Sequence, residues 1–274
     1  MKNKIKKAAL YGTAIILAIL FLIPIGWMLI VALKPEGNSA TSIVEWFNFS
    51  NLTLDNFNKV LKESQIIRWT YNSFVIATIT TAISVLLCSL GAFAFSKLEF
   101  KSKKVLFVLI TLGLMIPTEA IIIPLYDISL KLHLIDNMWG IILPGVTNPL
   151  GIILMRQFMD GVPDEYVEAA KLDGCRNFRI WWNICVPLTK SSMVSIGLFY
   201  FLLSWNNFMW PFICITSADK MVLATGIPTF LSNNMLVLNT IMAASAVAAI
   251  PAMTVFVLLQ KQIIQGVSMT GVKG

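Results

Sequence analysis

Apolar residues come in six long runs, separated by short polar stretches. The runs are Ala8–Leu33, Trp69–Phe95, Val105–Leu125, Met138–Met155, Ser192–Ile215 and Leu238–Gln260. Each approaches the ~20 residues that an α-helix needs to cross ~30 Å of hydrocarbon. Backbone groups in lipid must be satisfied within the segment, so the runs predict helices rather than strands. The pattern predicts an all-α membrane protein with six transmembrane helices. The first run follows Lys2, Lys4, Lys6 and Lys7 and is too long for the ~7–15-residue core of a cleaved signal, which predicts a retained helix.

Composition agrees. Of the 274 residues, 57% are hydrophobic and 13% charged, with a mean hydropathy of +0.77, well below the ~25% charge of a soluble domain. The net charge of +7 sets topology rather than nucleic-acid binding. Basic residues gather at the N-terminus, at Lys97–Lys104, between Arg156 and Lys190, and at Lys261 and Lys273. The positive-inside rule places those segments and both termini in the cytoplasm of a bacterial cytoplasmic (inner) membrane. The opposite loop, Lys34–Arg68, holds Trp46, Phe47, Phe49 and Phe57 and reads as a surface cap or interfacial helix. Met221–Val237 is broken by Gly226, Pro228, Asn233 and Asn234 and reads as a re-entrant or surface segment lining a cavity. The domain reading is a first helix with its outer loop over 1–68, a core of five helices over 69–265 and a cytoplasmic tail over 266–274.

Enzyme chemistry has no candidate. There is no G-x-x-x-x-G-K-[ST] phosphate loop and no nucleophile–base or paired-carboxylate set. The four cysteines and the single His133 lack metal-ligand spacing. Glu119 lies within an apolar run, either as a functional intramembrane carboxylate or as a side chain reaching the interface. Trp205, Asn206, Asn207 and Trp210 offer amides and flat rings that suit a sugar, and equally suit helix packing and an interfacial aromatic belt.

The most informative segment is the loop 156–190. Asp160-Gly161 reads as a turn, Pro163 as a helix start, and Asp164 and Glu165 complement the helix dipole. Gly174 is placed to stop that helix. A second amphipathic stretch carries Phe178, Trp181, Trp182 and Cys185 and ends at Pro187. Ala169, Ala170 and Gly174 would let another surface approach the backbone, with Glu168 as a charge for a cationic partner. The alternative is an ordinary solvated loop that happens to be helical.

Glu168-Ala169-Ala170, then Gly174, then Ile184-Cys185-Val186-Pro187 resembles the EAA motif of ABC importer permeases, with Val186 where Leu is usual. Met115-Ile116-Pro117, Ile123-Pro124-Leu125-Tyr126, Arg156-Gln157-Phe158, Ser204–Phe208, Trp210-Pro211 and the terminal Gly271–Gly274 are similar to the carbohydrate-uptake branch. The chain most resembles its MalG-like subunit. The resemblance implies the type I (MetI-like) permease fold with a cytoplasmic coupling helix. It implies coupling to an ATPase through Glu168, Ala169, Ala170, Asp173, Gly174, Ile184 and Pro187, and a tail contact through Gly271, Lys273 and Gly274. It also implies a MalF-like second permease, an ATP-binding subunit dimer that holds the ATP and Mg, and an extracellular or periplasmic sugar-binding protein. The cargo would be a sugar or oligosaccharide, or alternatively a sugar phosphate such as glycerol 3-phosphate. A secondary transporter is a further alternative, and it would need intramembrane charges that this chain almost lacks.

Overall fold

The computed structural model describes residues 2–38, 42–146, 148–231 and 238–271. These residues are predominantly helical, and no strand occurs among them. Helices α1 (Lys2–Leu33), α2 (Ile43–Trp46), α3 (Asp55–Glu63) and α4 (Ile66–Lys97) come first. Then follow α5 (Lys103–Leu112), α6 (Ile122–Lys131), α7 (Met138–Gly145) and α8 (Pro149–Asp160). Next are α9 (Asp164–Leu172), α10 (Asn177–Ile180), a π-turn (Trp181–Cys185) and α11 (Val186–Leu188). The chain continues through α12 (Lys190–Trp205), α13 (Met209–Cys214), α14 (Leu223–Gly226) and α15 (Leu238–Gly271).

Three helices are long and apolar enough to cross a membrane unaided, at Ala9–Leu33, Ile66–Lys97 and Leu238–Lys261. Three bent pairs meet the same standard: 103–115 with 118–131, 138–145 with 149–160, and 177–188 with 190–205. Counting each pair once gives six. The third predicted run is not straight, because its arms meet at 97° around Pro117. Proline removes an amide hydrogen and disfavours helical geometry in the residue before it, and Ile116 is indeed extended. The fifth predicted run breaks at Asn206–Phe208, between α12 and α13. Over the described part of Met221–Val237 the chain forms only short helical turns, and residues 232–237 lie outside the described residues.

The chain divides into two compact units, 1–67 with 226–250 and 68–225 with 251–274. In the first unit, the end of α1 is buried together with its unpaired carbonyls. Two asparagines satisfy them. Asn56 Nδ2 donates to the carbonyls of Ala32 (2.8 Å) and Lys34 (2.7 Å). Asn239 Nδ2 donates to those of Val31 (2.8 Å) and Asn38 (2.9 Å). The Lys34 ammonium, itself buried, bonds the Asn48 carbonyl.

The second unit has two apolar cores. One joins α4, α8, α12 and the segment 162–185 through Phe93, Met155, Met159, Val167, Trp181 and Ile196. At its edge, Arg156 lies over the Phe107 ring, 4.1 Å from the centroid. The other joins α4, α7 and α13 through Ile76, Ile142, Val146, Trp210 and Cys214. Beside it, a polar clasp ties the loop 132–137 to the loop 215–221. Asp136 accepts from the amides of Thr216 (3.1 Å) and Ser217 (2.9 Å), the Ser217 hydroxyl (2.6 Å) and Lys220 Nζ (2.7 Å). The Lys220 ammonium and the Ser217 donors hold the Asp136 carboxyl far below the usual carboxylate range. Asp136 takes a left-handed φ of 56°, so these bonds also fix an uncommon backbone geometry. Arg68 pairs with Asp219 at 2.9 Å, and Asn72 Nδ2 bonds the carbonyls of Asp219 and Met221.

Candidate functional site

The segment 161–190 is a helical hairpin with one face buried and one bare. Its first arm, α9, begins one residue later than the sequence suggests: Pro163 is the cap and Asp164 the first helical residue. Lys97, the last residue of α4, ties down that start. Its buried ammonium donates to the Val162 carbonyl and to Asp164 Oδ1, both at 2.6 Å. The Lys97 bond and charge hold the Asp164 carboxyl below the usual range.

Val167 and Ala170 face the core, whereas Tyr166, Glu168, Ala169, Leu172 and Asp173 face out. The two alanines expected to act alike therefore separate. Ala170 is 7% exposed and its small size serves internal packing, while Ala169 is on the surface. Successive positions on a helix turn by about 100°, so neighbours need not share a face.

Gly174 stops α9 as expected. Its φ is +76°, the left-handed geometry that glycine adopts without a Cβ penalty. The Gly174 amide bonds the Lys171 carbonyl (3.0 Å) and the Cys175 amide bonds that of Ala170 (2.9 Å). That pair of crossed bonds is a complete Schellman closure. A Cβ at Gly174 would meet nothing within 4 Å, so the turn faces open space.

The second arm splits the same way. Trp181 and Cys185, four apart, are buried, while Phe178 and Trp182, also four apart, are 66% and 56% exposed. Ile184 is half-buried and Pro187 exposed. Pro187 does not end this arm, contrary to the sequence reading. The chain widens into the π-turn Trp181–Cys185, where the Val186 amide reaches back to the Trp181 carbonyl, and helix continues to Leu188. Pro187 has no amide hydrogen for the bond four residues back, and the shifted register accommodates that loss. The 83° bend comes at Thr189, whose hydroxyl bonds the Cys185 carbonyl at 2.7 Å. The hairpin thus shows Tyr166, Leu172 (89% exposed), Phe178, Trp182 and Leu188 around an open glycine. In the tail, Gly271 is the last described helical residue, and Lys273 and Gly274 lie outside the described residues.

A second feature is a cleft of about 440 Å³ bounded by α4, α6, α7 and α12 and by the ends of α8 and α13. Asn207 and Trp210 line it. Trp205, Asn206 and Glu119 do not. Trp205 is buried against Phe201, their rings stacked 5.7 Å apart at 17°. The Asn206 amide turns back to the Leu202 carbonyl at 2.9 Å, and Glu119 is exposed in the bent region after Pro117.

Sequence reasoning missed the cleft's other polar walls, Thr80, Thr118, Asn148, Tyr200 and Ser204. Tyr200 donates its hydroxyl to the Asn148 carbonyl at 3.0 Å, 52 residues away in sequence. Its single proton is then committed, so the Cys88 thiol, 3.2 Å away, donates to the tyrosine oxygen. Gly151 makes room for this ring, since a Cβ there would lie 2.0 Å from the tyrosine hydroxyl. Among the described residues no group of histidine, cysteine and carboxylate side chains could hold a metal ion.

Residues 84–269 match the family of binding-protein-dependent transport system inner membrane components. The chain belongs to this family. Two relatives show how the likeness extends. The permease protein AraQ of the arabinooligosaccharide transport system of Bacillus subtilis is 31% identical, over 94% of this chain and 92% of AraQ. The permease protein UgpE of the sn-glycerol-3-phosphate transport system of Yersinia enterocolitica is 31% identical, over 72% of this chain and 70% of UgpE. Among solved structures, a bacterial ABC transporter involved in import of the acidic polysaccharide alginate shares the fold. The TM-score is 0.81 at 21% identity, over 95% of this chain and 97% of that one. The permease is therefore a six-span, all-α membrane protein with the type I importer fold. It is a transport subunit rather than an enzyme, and it works with partner subunits.

Proposed function

We propose that this permease is the MalG-like half of the pathway of an ATP-driven importer for a sugar or oligosaccharide. What carries the reading is the hairpin. A closed Schellman turn at Gly174 stands among exposed Tyr166, Leu172, Phe178 and Trp182. Such a bare apolar surface is costly without a partner. The occupant is the ATP-binding subunit, which holds ATP and Mg. Glu168, Ala169, Asp173, Gly174 and Pro187 meet it directly, while Ala170 and Ile184 support them from behind. The tail at Gly271, Lys273 and Gly274 makes a second contact. The 1–68, 69–265 and 266–274 division stands as part of this proposal.

The energetics are those of a shifted equilibrium. The ATPase dimer favours one of two arrangements of the hairpins, and the permease pair alternates in response by the difference in affinity. A MalF-like second permease completes the pathway, and a sugar-binding protein delivers cargo from outside. Both termini and the hairpin lie in the cytoplasm, and the Asp136 clasp lies outside. The likeness to UgpE supports a second cargo, a sugar phosphate. The likeness to AraQ, over more of the chain, supports the first.

The experiment is co-purification with cysteine labelling. The permease brings down a nucleotide-binding subunit from membranes. Cysteines at Lys101 and Lys171 react with an impermeant maleimide only in opened cells, and one at Phe49 reacts in intact spheroplasts. Labelling of position 171 from outside contradicts the orientation, and the absence of an ATPase contradicts the assembly.

A further inference from the structure

The loop between α1 and α4 carries an apolar surface that the described residues of its unit leave bare. From Ile43 to Leu54 the only charged residue is Glu45, and its carboxylate closes a capping box with Ser42 at the start of α2. Five large apolar side chains of this stretch stand outward: Val44 (80% exposed), Phe47 (71%), Phe49 (64%), Leu54 (63%) and Leu52 (43%). Charge resumes on α3, where Lys59 and Lys62 are exposed and Lys59 pairs with Glu36 at 2.5 Å.

Two observations fix the depth of this surface and what covers it. The first is how it is tied down. The Thr53 amide donates to the Leu33 carbonyl at 2.8 Å, the Lys34 ammonium bonds the Asn48 carbonyl, and Asn56 bonds the carbonyls of Ala32 and Lys34. Leu33 is the last residue of the apolar span Ala9–Leu33. Residues 48–53 are therefore held at the level where α1 leaves the hydrocarbon. The second is continuity. Phe21, Leu22, Ile25 and Leu29 of α1 are exposed, so the apolar wall of the span runs on into the loop. A bare apolar patch in water is unfavourable. A protein that docks and departs would uncover this patch in every cycle, whereas lipid covers it throughout.

We propose that Ile43–Leu54 is an interfacial anchor whose partner is the phospholipid surface itself. Val44, Phe47, Phe49, Leu52 and Leu54 enter the boundary between headgroups and acyl chains, and Lys59 and Lys62 of α3 stay on the aqueous side. Apolar faces of interfacial elements sink only ~5–10 Å into that boundary. The zone is hydrated, so a small impermeant maleimide still reaches position 49 from outside. Of the two readings left open by the sequence, surface cap or interfacial helix, the second holds, with the capped turn of α2 and the stretch after it as the inserted element. The anchor pins the end of α1 at a set depth. It requires only that α1 spans a membrane, so it stands or falls apart from the importer reading.

The test uses the permease, purified with its partners, in proteoliposomes of phosphatidylethanolamine and phosphatidylglycerol. Cys175→Ser removes the partly exposed thiol, and the other three cysteines are buried. A bimane is attached at Phe47→Cys, at Val44→Cys or, as the aqueous control, at Lys62→Cys. Val44 is the most exposed of the five, so its replacement guards against a folding defect at Phe47. Phospholipids carry a nitroxide quencher on the headgroup, high on the acyl chain or at the chain's end. Bimane at positions 47 and 44 is expected to be quenched at least about twofold more than at 62, by the two shallow quenchers and least by the deep one, as an interfacial depth requires. Quenching at 47 and 44 no stronger than at 62 overturns the proposal, whether water or the second permease covers the patch. Strongest quenching from the chain's end would make the stretch part of a span and also overturns it. So does an emission shift that appears only when the binding protein is added, which would assign the patch to that protein. Failure to recover an ATPase is a separate result, and it counts against the importer reading while leaving the anchor in place.

Discussion

The hairpin 161–190 and the clasp between loops 132–137 and 215–221 solve the problem of a membrane protein's ends in opposite ways. The clasp closes on itself. Asp136 accepts four hydrogen bonds, Lys220 pairs with it, and Arg68 pairs with Asp219. The hairpin satisfies its backbone through the Schellman turn but leaves large apolar side chains exposed. A loop whose polar groups are all matched internally holds a shape, whereas one that is locally rigid and apolar outside offers a shape to something else. The contrast extends to the left-handed residues. In the clasp the positions are His133 and Asp136, the latter with its side chain locked by bonds, and in the hairpin it is Gly174, with nothing beyond it.

The largest expected effect separates the two faces of the hairpin. Trp181→Ala removes a fully buried indole and should destabilise the permease by about 3–5 kcal/mol. Trp182→Ala, next in sequence but exposed, should change stability by less than about 0.5 kcal/mol yet weaken recovery of the ATPase. Thermal scans of the purified permease and pull-downs at matched membrane levels read the two effects. Equal destabilisation by both would erase the inside–outside split.

The clasp comes next. Asp136→Ala strands two backbone amides and leaves Lys220 with only its bond to the residue 136 carbonyl, and should cost about 1–3 kcal/mol. It should not alter ATPase recovery. The pH dependence has a definite sign. Because the folded carboxyl lies below its ordinary value, its stabilisation is complete above the unfolded pKa of about 4 and is lost as pH falls further. The stability gap between wild type and Asp136→Asn should therefore be full at neutral pH and close in acid. A gap independent of pH would mean that the carboxylate charge does not hold the clasp.

Smaller again is Lys97→Met. It cuts the bond from α4 to Val162 and Asp164 but leaves the bare face intact. ATPase recovery should persist while sugar moved per ATP falls about two- to fivefold, the range expected for a residue that transmits rather than docks. An unchanged ratio would make Lys97 a simple anchor.

How far the sequence could foresee this depends on the range of each interaction. Hydropathy marked all six spans, and Gly174 marked its turn, because both are local. The 97° bend was signalled by Pro117 but hidden by the apolar run that continues across it. The division of Ala169 from Ala170 depends on which way α9 rolls onto Met155 and Met159, which spacing alone leaves open. Thr80 was invisible for a related reason. A threonine in an apolar run reads as packing until the structure shows that its hydroxyl has no partner. The Tyr200–Asn148 bond likewise joins residues far apart in sequence. Trp205 and Asn206, grouped by sequence with Asn207 and Trp210, lie off the cleft because a break in the helix, rather than its periodicity, decides which residues face it.

One measurement bears most directly on the central claim that the bare hairpin couples this permease to an ATPase. Gly174→Asp places a side chain and a charge where the turn opens, at a left-handed position that L-residues resist, and Glu168→Lys reverses the charge on the same helix. With each variant at wild-type membrane levels, the ATPase is pulled down and uptake of labelled sugar is followed. The account predicts lost ATPase recovery, or hydrolysis without uptake, in both variants with insertion unchanged. Normal ATPase binding and wild-type uptake in both would contradict it.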